Sequence, residues 1–274
     1  MLRRNYGMNI RSISLVIISI LIIFLSGCSV TEIKGPENGL TIVTWNVRGY
    51  PESDQVDRDW FHEQLIKMNP DIICVQEIAN QDRVDIFLAN EERFKSAAFL
   101  NSSDGQDNAI FTTQSIELED MIDPDGFQHP AQAAYVAYKG FDVVIVTVHL
   151  SWTNVVLREQ EKLLLKEVVN QMLNVDPDVI IAGDFNTQGP DIMELAESIG
   201  MIVMVPQGQI GVGTTHAGNR YDHFLISPDL ANEEAIECRI QTFTGSDLIT
   251  EKRVSDHLPV IALFKTDIHF RDRK

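Results

Sequence analysis

Short apolar stretches rich in β-branched residues recur through most of the chain, and they constrain the fold more than any other feature. Such stretches predict strands, because branched and aromatic side chains pack well on a pleated surface. Strands are expected at residues 40–46, 72–76, 94–100, 108–112, 134–138, 143–150, 179–182, 202–205, 221–226, 236–243 and 258–264.

Helices are expected where apolar residues recur every three to four positions. The longest such segment covers residues 154–173, and Pro177 prevents any continuation of that helix. Strands outnumber helices, and hairpins occur beside βαβ-like units. The sequence therefore predicts an α/β fold of the α+β kind, in which two packed sheets carry helices on their outer faces. The other expected helices cover residues 57–68, 83–90 and 191–199.

The first 27 residues differ in character from the rest. Arg3, Arg4 and Arg11 precede an apolar run at residues 13–25, which is typical of a secretory signal and too short to span a bilayer. The run ends in Leu25-Ser26-Gly27-Cys28, which resembles the lipobox of bacterial lipoproteins.

The resemblance to a lipobox implies that Cys28 is lipidated and becomes the new N-terminus. We expect a signal peptide at residues 1–27, a tether at residues 28–38 and one domain at residues 39–268. The protein would then be exported and anchored by lipid to the bacterial cell membrane, in the cell envelope. An uncleaved anchor helix with an incidental cysteine is the alternative.

The chain is acidic, with a formal net charge of −18. Such a charge repels polyanions at long range. The sequence also lacks the cluster of lysine and arginine that a bulk nucleic-acid binder should show. A phosphodiester substrate remains compatible with this charge, because a bound divalent cation reverses the field locally.

Two cysteines remain after Cys28, and both lie in apolar, strand-like stretches. We expect Cys74 and Cys238 to be separate buried thiols. A disulfide between them is the alternative, since an exported protein meets oxidising conditions.

Polar side chains follow several predicted strands at the point where each strand ends. Loops at the ends of rigid strands are where binding and catalytic groups are commonly placed. Each residue alone has an ordinary structural explanation, such as a turn or a solvated surface, but their joint occurrence favours a site. The residues are Asn46, Glu77, His149, Asp184, Asn186, Asp222, Asp256 and His257.

The motifs around these residues, in this order, resemble the endonuclease/exonuclease/phosphatase superfamily. That group includes deoxyribonuclease I, abasic-site endonucleases, bacterial sphingomyelinases, inositol polyphosphate 5-phosphatases and the cytolethal distending toxin nuclease. The resemblance spans about residues 40–265 and implies a four-layer α/β sandwich, two packed mixed sheets flanked by helices. The motifs are Thr44-Trp45-Asn46-Val47-Arg48-Gly49, Val75-Gln76-Glu77, Val148-His149-Leu150, Ala182-Gly183-Asp184-Phe185-Asn186, Tyr221-Asp222 and Ser255-Asp256-His257-Leu258-Pro259.

The resemblance also implies a role for each site residue. Glu77 with Asn46 would bind Mg²⁺ or Mn²⁺, with Asp256 a further ligand, and oxygen ligands suit such hard cations. His257 would be the general base that activates water, oriented by Asp222.

The remaining roles concern the phosphoryl group. Asp184 and Asn186 would position the nucleophile or stabilise the charged transition state, and His149 would be a second acid or a phosphate-binding group. The carboxylate partner of His149 is open, with Asp104 and Asp107 as candidates.

Two departures from the abasic-site endonucleases narrow the branch. Arg48 stands two residues after Asn46, where those enzymes usually carry an acid, and His149 replaces their tyrosine-bearing loop. Both favour the branch of deoxyribonuclease I, sphingomyelinase, the toxin nuclease and the 5-phosphatases. Arg48 would hold a substrate phosphate or, alternatively, form a surface salt bridge. Residues 213–222 resemble the loop that precedes the aspartate of the toxin nuclease.

We therefore predict a metal-dependent phosphodiesterase that acts as a monomer on a phosphodiester substrate. A deoxyribonuclease I-like nuclease is the leading interpretation. The alternative substrates are phospholipids and inositol phosphates, which the predicted membrane anchor and the acidic surface favour. A catalytically silent binding module on the same fold is a further alternative.

Overall fold

The computed structural model describes residues 39–50, 54–102, 105–113, 116–121, 126–138 and 140–266. The predicted signal peptide, the tether with Cys28, and residues 267–268 of the predicted domain lie outside these ranges. All described residues belong to one unit, Lys34–Lys274. Among them, no helix has both the length and the apolar character needed to cross a membrane.

Twelve strands and six helices make up the described part of the chain. The strands are β1 (Gly39–Asn46), β2 (Ile72–Ile78), β3 (Phe94–Phe99), β4 (Asp107–Thr113), β5 (Glu117–Met121), β6 (His129–Tyr138), β7 (Phe141–His149), β8 (Val179–Asp184), β9 (Ile202–Val203), β10 (Asp222–Ile226), β11 (Ala235–Ile240) and β12 (Val260–Lys265). The helices are α1 (Gln55–Met68), α2 (Gln81–Asn90), α3 (Val155–Val175), α4 (Pro190–Ser198), α5 (Pro228–Glu233) and α6 (Ser246–Val254).

The strands form two mixed sheets of six strands each, which confirms the predicted fold class. One sheet has the order β11-β12-β1-β2-β4-β3, and the other has the order β5-β6-β7-β8-β10-β9. At the centre of each sheet lies one parallel pair of strands, β1 with β2 in the first sheet and β7 with β8 in the second. The neighbours on both sides of each pair are antiparallel to it. These two central pairs pack against each other and form the middle of the sandwich.

Helix α3 shows how the sequence pattern becomes packing. The Asn154 side chain accepts a hydrogen bond from the Leu157 backbone N–H and so caps the helix start. Leu165, Val168 and Met172 recur at helical spacing and are buried against the sheet that contains β7 and β8. Burial of such side chains contributes roughly 1.5–3 kcal/mol each.

Three elements escape the sequence prediction, each for a physical reason. Three of the five residues of strand β5 are acidic, and the strand lies at a sheet edge, where few apolar side chains are needed. Helix α5 is six residues long, too short to show a periodic pattern. Helix α6 exposes Ile249 and contains few other apolar residues.

Strand β6 also begins five residues earlier than predicted. Its first part contains Pro130, and the pairing with β7 shifts register between His129 and Gln132. A proline is tolerated in a strand at such a bulge, because no ladder hydrogen bond is lost there.

Both remaining cysteines are free and buried, in agreement with the prediction of two separate thiols. Cys74 lies in β2 and Cys238 in β11, on strands that are separated by β12 and β1. Burial raises the pKa of the Cys238 thiol to about 12, so it stays protonated at neutral pH.

Candidate active site

One edge of the sandwich gathers side chains from both sheets. Asn46 ends β1, Glu77 lies near the end of β2, and His149 and Asp184 end β7 and β8. Asp222 begins β10, which is antiparallel to β8 and pairs Asp222 with Asp184. The topology therefore brings the ends of five strands to one place.

The described residues at this edge line a cleft of about 340 Å³. His257 reaches it from the segment before β12, which is antiparallel to β1. Asp256 is exposed at the same cleft, and Asn186 is buried in it. Six of the eight residues predicted from the motifs line the cleft. The other two hydrogen-bond to lining residues: Asp222 to His257, and Asn46 to Glu77 and Asp184.

Asp184 is the centre of the cluster. Its Oδ2 accepts a hydrogen bond from Asn46 Nδ2 at 3.2 Å, and the same oxygen lies 3.8 Å from His149 Nε2 and 3.6 Å from His257 Nε2. Its Oδ1 accepts the Asn186 backbone N–H at 2.9 Å. The carboxylate is almost completely buried, and a buried carboxylate requires hydrogen-bond donors in place of water. Asn46 of one sheet and Asn186, which follows a strand of the other, supply them.

Glu77 is placed by a distortion of β2. The pairing of β2 with β4 shifts register between Val75 and Ile78, and Glu77 has a φ of +60°. A positive φ at a residue other than glycine costs of order 1–3 kcal/mol, and such strain clusters at functional sites. The bulge turns the Glu77 carboxylate toward Asn46, whose Nδ2 donates to Glu77 Oε1 at 2.9 Å.

His257 and Asp222 form a buried pair. His257 Nδ1 lies 2.8 Å from Asp222 Oδ2, which leaves Nε2 directed toward Asp184. Burial lowers the pKa of His257, but the Asp222 carboxylate outweighs this effect, and the net pKa is raised. Burial raises the pKa of Asp222. The pair therefore holds a proton on the imidazole and keeps the ring in one orientation.

Backbone contacts hold the segment that carries this histidine. Ser255 Oγ donates to the Asn46 carbonyl at 2.7 Å and accepts the His257 backbone N–H at 2.9 Å. Trp45 Nε1 donates to the His257 carbonyl at 3.0 Å. The first motif and the last motif of the chain are thus joined directly, although more than 200 residues separate them.

His149 is held by a second imidazole. Its ring stacks on His129 at a centroid distance of 4.6 Å, and its Nε2 lies 3.9 Å from Glu77 Oε1. Its Nδ1 has no hydrogen-bond partner within the described ranges. Asp107, one of the two candidate partners, instead accepts the Ser102 backbone N–H, and Asp104 lies outside the described residues.

Arg48 does not line the described part of the cleft. Its side chain is exposed, and its backbone N–H donates to Asn46 Oδ1 at 3.0 Å. This contact fixes the Asn46 amide so that Nδ2 faces the two carboxylates. Ligation of a cation by Asn46 requires the amide to turn over, since only its oxygen is a metal ligand.

The donor set fits a hard divalent cation. Glu77 and Asp184 direct carboxylate oxygens to the same amide, and oxygen-rich sets of this kind bind Mg²⁺ and Mn²⁺. In the described part of the chain, ligand atoms of Asp184, Asp222 and His257 also lie within 4.8 Å of one another. The two groups share Asp184, which was predicted as a catalytic residue rather than as a ligand.

Several supporting residues were missed in the sequence analysis. Gln76 is fully buried and donates to Thr147 Oγ1 at 2.8 Å, a hydrogen bond that joins the two sheets beneath the cleft. Its position before Glu77 in an apolar strand was a signal, since a buried amide needs partners. His129 gave no signal, because its contact with His149 depends on the early start of β6.

A buried pair beside the last motif was also missed. His216 Nε2 lies 2.5 Å from Glu251 Oε2, and the Glu251 side chain is fully buried. Burial lowers the pKa of His216 and raises that of Glu251 to about 8, so both groups favour their neutral forms. The His216 backbone N–H donates to the Asp256 carbonyl, and the Glu251 carbonyl accepts from Ser255, so this pair braces the segment that carries His257.

Two mixed sheets flanked by helices, with a histidine–carboxylate pair and further acids at one edge, define the α/β-sandwich class of phosphoesterases. The sequence profile of the Endonuclease/Exonuclease/phosphatase family matches residues 43–257, and the chain belongs to this family. Members of the family are phosphoesterase hydrolases, and they typically use divalent metals. No curated protein sequence gives a significant match.

Solved structures with the same fold come from proteins of different activities. D. rerio TDP2, in complex with a single-strand DNA product, is 20% identical with a TM-score of 0.68, covering 84% of this chain and all of that one. The mannosyl-6-phosphatase of Bacteroides thetaiotaomicron is 16% identical with a TM-score of 0.62, covering 81% and 98%. The human Nocturnin catalytic domain with bound sulfate is 14% identical with a TM-score of 0.62, covering 85% and 96%.

Proposed function

We propose that the protein is a metal-dependent phosphodiesterase that cleaves nucleic acid. One observation carries the proposal: groups from both sheets, distant in sequence, meet at Asp184 within 4 Å, with two imidazoles and an amide around one carboxylate. A phosphodiester is anionic, so its hydrolysis requires charge neutralisation, activation of water and assistance to the leaving oxygen. The cleft contains groups suited to each task.

His257 is the proposed general base. Asp222 fixes the Nδ1 side of the ring at 2.8 Å, so Nε2 is the atom that accepts a proton from water. Nearby carboxylates raise the pKa of His257, and a cation held by the acids of the cleft would offset their charge and favour the neutral imidazole that a base requires. A positioned imidazole contributes roughly 10²–10⁴-fold to such a reaction. Asp184, 3.6 Å from Nε2, and Asn186 orient the attacking water and the phosphoryl oxygens in this proposal.

His149 is the proposed second acid or phosphate-binding group. It is buried beside both Glu77 and Asp184, and stacking on His129 limits its rotation. Glu77 and Asn46 hold Mg²⁺ or Mn²⁺ in this proposal, with Asp256 at the exposed side of the cleft as a further ligand. When bound, such an ion withdraws charge from the phosphoryl group as a Lewis acid. Arg48 is retained as a candidate contact to a more distant phosphate.

Nucleic acid is proposed as the substrate for two reasons. The loop at residues 213–222 resembles that of a toxin nuclease, and D. rerio TDP2 shares the fold and was solved with a DNA product. Phospholipids and inositol phosphates are the second candidate, favoured by the predicted lipid anchor. The phosphatase among the structural relatives shows that the fold also serves monoesters.

The test is a metal-dependent activity panel with the purified chain after residue 28. We expect hydrolysis of bis(p-nitrophenyl) phosphate and of DNA or RNA with Mg²⁺ or Mn²⁺, and loss of both activities with EDTA. H257A should lower kcat by at least about 100-fold. H62A is the matched control, because His62 also pairs with a buried carboxylate, Glu91 at 3.1 Å, outside the cleft.

Two results would contradict the proposal. Undiminished hydrolysis by H257A would remove His257 as the base, and hydrolysis of sphingomyelin or inositol phosphates without cleavage of nucleic acid would replace the substrate class. A folded protein without any metal-dependent hydrolysis would support the silent binding module instead.

We also propose that the protein is exported and held at a bacterial membrane by a lipid on Cys28, as a monomer. The support is the sequence of the first 28 residues. Membrane fractionation of the full chain should place it in the pellet, and C28S should release it or leave it unprocessed. A soluble wild-type chain of full length would contradict the anchor, and sedimentation of the detached domain tests the monomer.

A further inference from the structure

A large aromatic side chain is exposed at the cleft. Trp152 lies three residues after His149, is 64% exposed, and lines the cleft together with His149, Asn186 and Tyr221. Tryptophan has one of the largest apolar surfaces of any side chain, and it is rarely left open to water without a partner.

The backbone that carries Trp152 is fixed. The Ser151 N–H donates to Glu161 Oε2 at 2.7 Å, and Glu161 is a fully buried carboxylate. Arg158 Nη1 donates to the carbonyl of Ser151 at 2.8 Å and to that of Trp152 at 3.0 Å. The exposure of the ring therefore does not come from a loosely held loop, since the loop is held by side chains of α3.

The charge of the cleft limits how it can attract a substrate. No lysine or arginine is among the residues that line its described part, while Glu77, Asp184 and Asp256 all do. An anionic substrate therefore gains little affinity here from protein cations. Uncharged contacts to the rest of the substrate must supply it, and an exposed indole is the largest uncharged surface at the cleft.

We infer that Trp152 is the stacking platform for a nucleobase next to the scissile phosphate, an inference that rests on the proposed nuclease function. Every nucleobase has a π-face, so stacking on tryptophan is tolerant of sequence and needs no protein charge. The hydroxyl and amide groups nearby, on Thr215, Asn219 and Tyr221, suit a polar nucleotide better than an acyl chain. The substrate is then a single strand or a splayed end, because a paired base is not free to stack on protein.

The inference predicts a coupling between the indole and one base of the substrate. With the wild type, replacing the base beside the cleaved bond by an abasic tetrahydrofuran in a single-stranded oligonucleotide should lower kcat/KM by about 10-fold or more. W152A should show a similar loss on the intact oligonucleotide, mainly in KM, and no further loss on the abasic one. W152F should restore most of the activity. L163A removes an exposed apolar side chain of α3 outside the lining of the cleft, and it should behave as the wild type.

The outcomes separate this inference from the function on which it rests. Wild-type kinetics in W152A, or losses from W152A and from the abasic site that simply add, would overturn the stacking role and leave the nuclease intact. A stronger effect of W152A on sphingomyelin vesicles than on oligonucleotides would assign the ring to lipid. If the wild type hydrolyses bis(p-nitrophenyl) phosphate but no oligonucleotide, the nuclease assignment and the stacking role both fail.

Discussion

Strands β7 and β8 run parallel, and each of them begins and ends beside a titratable side chain. At their carboxyl ends lie His149 and Asp184, paired in register across the two strands. At their amino ends lie Asp142, near the start of β7, and Asp178, directly before β8. The same two strands thus carry acidic groups at both of their ends, and the groups at the two ends have different partners.

At the carboxyl ends the buried acid Asp184 meets imidazoles and amides at the wall of an open cleft. At the amino ends the acids meet one another. Burial raises the pKa of Asp176 to about 7, with Asp142 and Asp178 adding to this rise. Carboxylates packed against one another favour the protonated form of one of them. A carboxylate surrounded by imidazoles and amides instead forms a site that suits an anionic substrate together with a metal cation. Ligands of open sheets with parallel strands bind at the carboxyl ends of the strands. In this chain, the different partners of the acids at the two ends give a chemical reason for that preference.

The sharpest test of the comparison exchanges one acid at each end of β8. D184N should lower kcat for the phosphodiester by at least about 100-fold, because it removes the charge on which Asn46, His149 and His257 converge. D178N changes the same atoms before the same strand and should leave kcat within about twofold. Steady-state kinetics with bis(p-nitrophenyl) phosphate, on variants whose folded state is verified by circular dichroism, measures both. Equal losses in the two variants would mean that the two edges do not differ as described.

A second test concerns the glycine that allows β7 and β8 to approach at the site. A Cβ on Gly183 would lie 2.0 Å from the Val148 carbonyl oxygen, at a φ of +153°. G183A should therefore lower the free energy of unfolding by at least about 3 kcal/mol, the upper part of the range for overpacking.

G200A is the control for Gly183. Gly200 also has a positive φ, but a Cβ there meets no atom within 4 Å, so only the backbone cost of about 1 kcal/mol remains. Urea unfolding of both variants gives the difference. A loss in G183A no greater than that in G200A would show that the close approach of the strands is not needed.

The fold could be predicted from the sequence where strands are buried on both faces. The strands at 72–76, 143–150 and 179–182 were expected and are present with shifts of a few residues, because continuous β-branched runs have no other stable place. The edge strand β5 and the short helices α5 and α6 were not expected, since their formation depends on neighbours rather than on their own pattern.

For the candidate site, the residues in the motifs could be predicted from the sequence, but their supporting contacts could not. The resemblance of the motifs to a known family implied that Glu77, Asp184 and His257 share one site, and all three line the same cleft. The contacts between distant segments were not predictable: Gln76 with Thr147 across the sheets, and His216 with Glu251, have no local sequence signal. The exposure of Trp152 was also invisible, since a tryptophan in a sequence is expected to be buried.

The smallest expected effect lies at the amino-terminal edge and concerns pH. Because the folded pKa of Asp176 is about 7, above its value in the unfolded chain, the folded state binds the proton more tightly. This contribution is full below about pH 4, where the unfolded chain is protonated too, and it is lost as the pH rises through the folded pKa of about 7. D176N resembles the protonated acid, so at pH 8 it should stabilise the protein by about 1–2 kcal/mol, a value reduced for partial solvent screening. Below about pH 4 it should have little effect. Thermal unfolding between pH 4 and pH 8 measures the change, and a gain in melting temperature that does not grow with pH would show that Asp176 is charged in the folded protein.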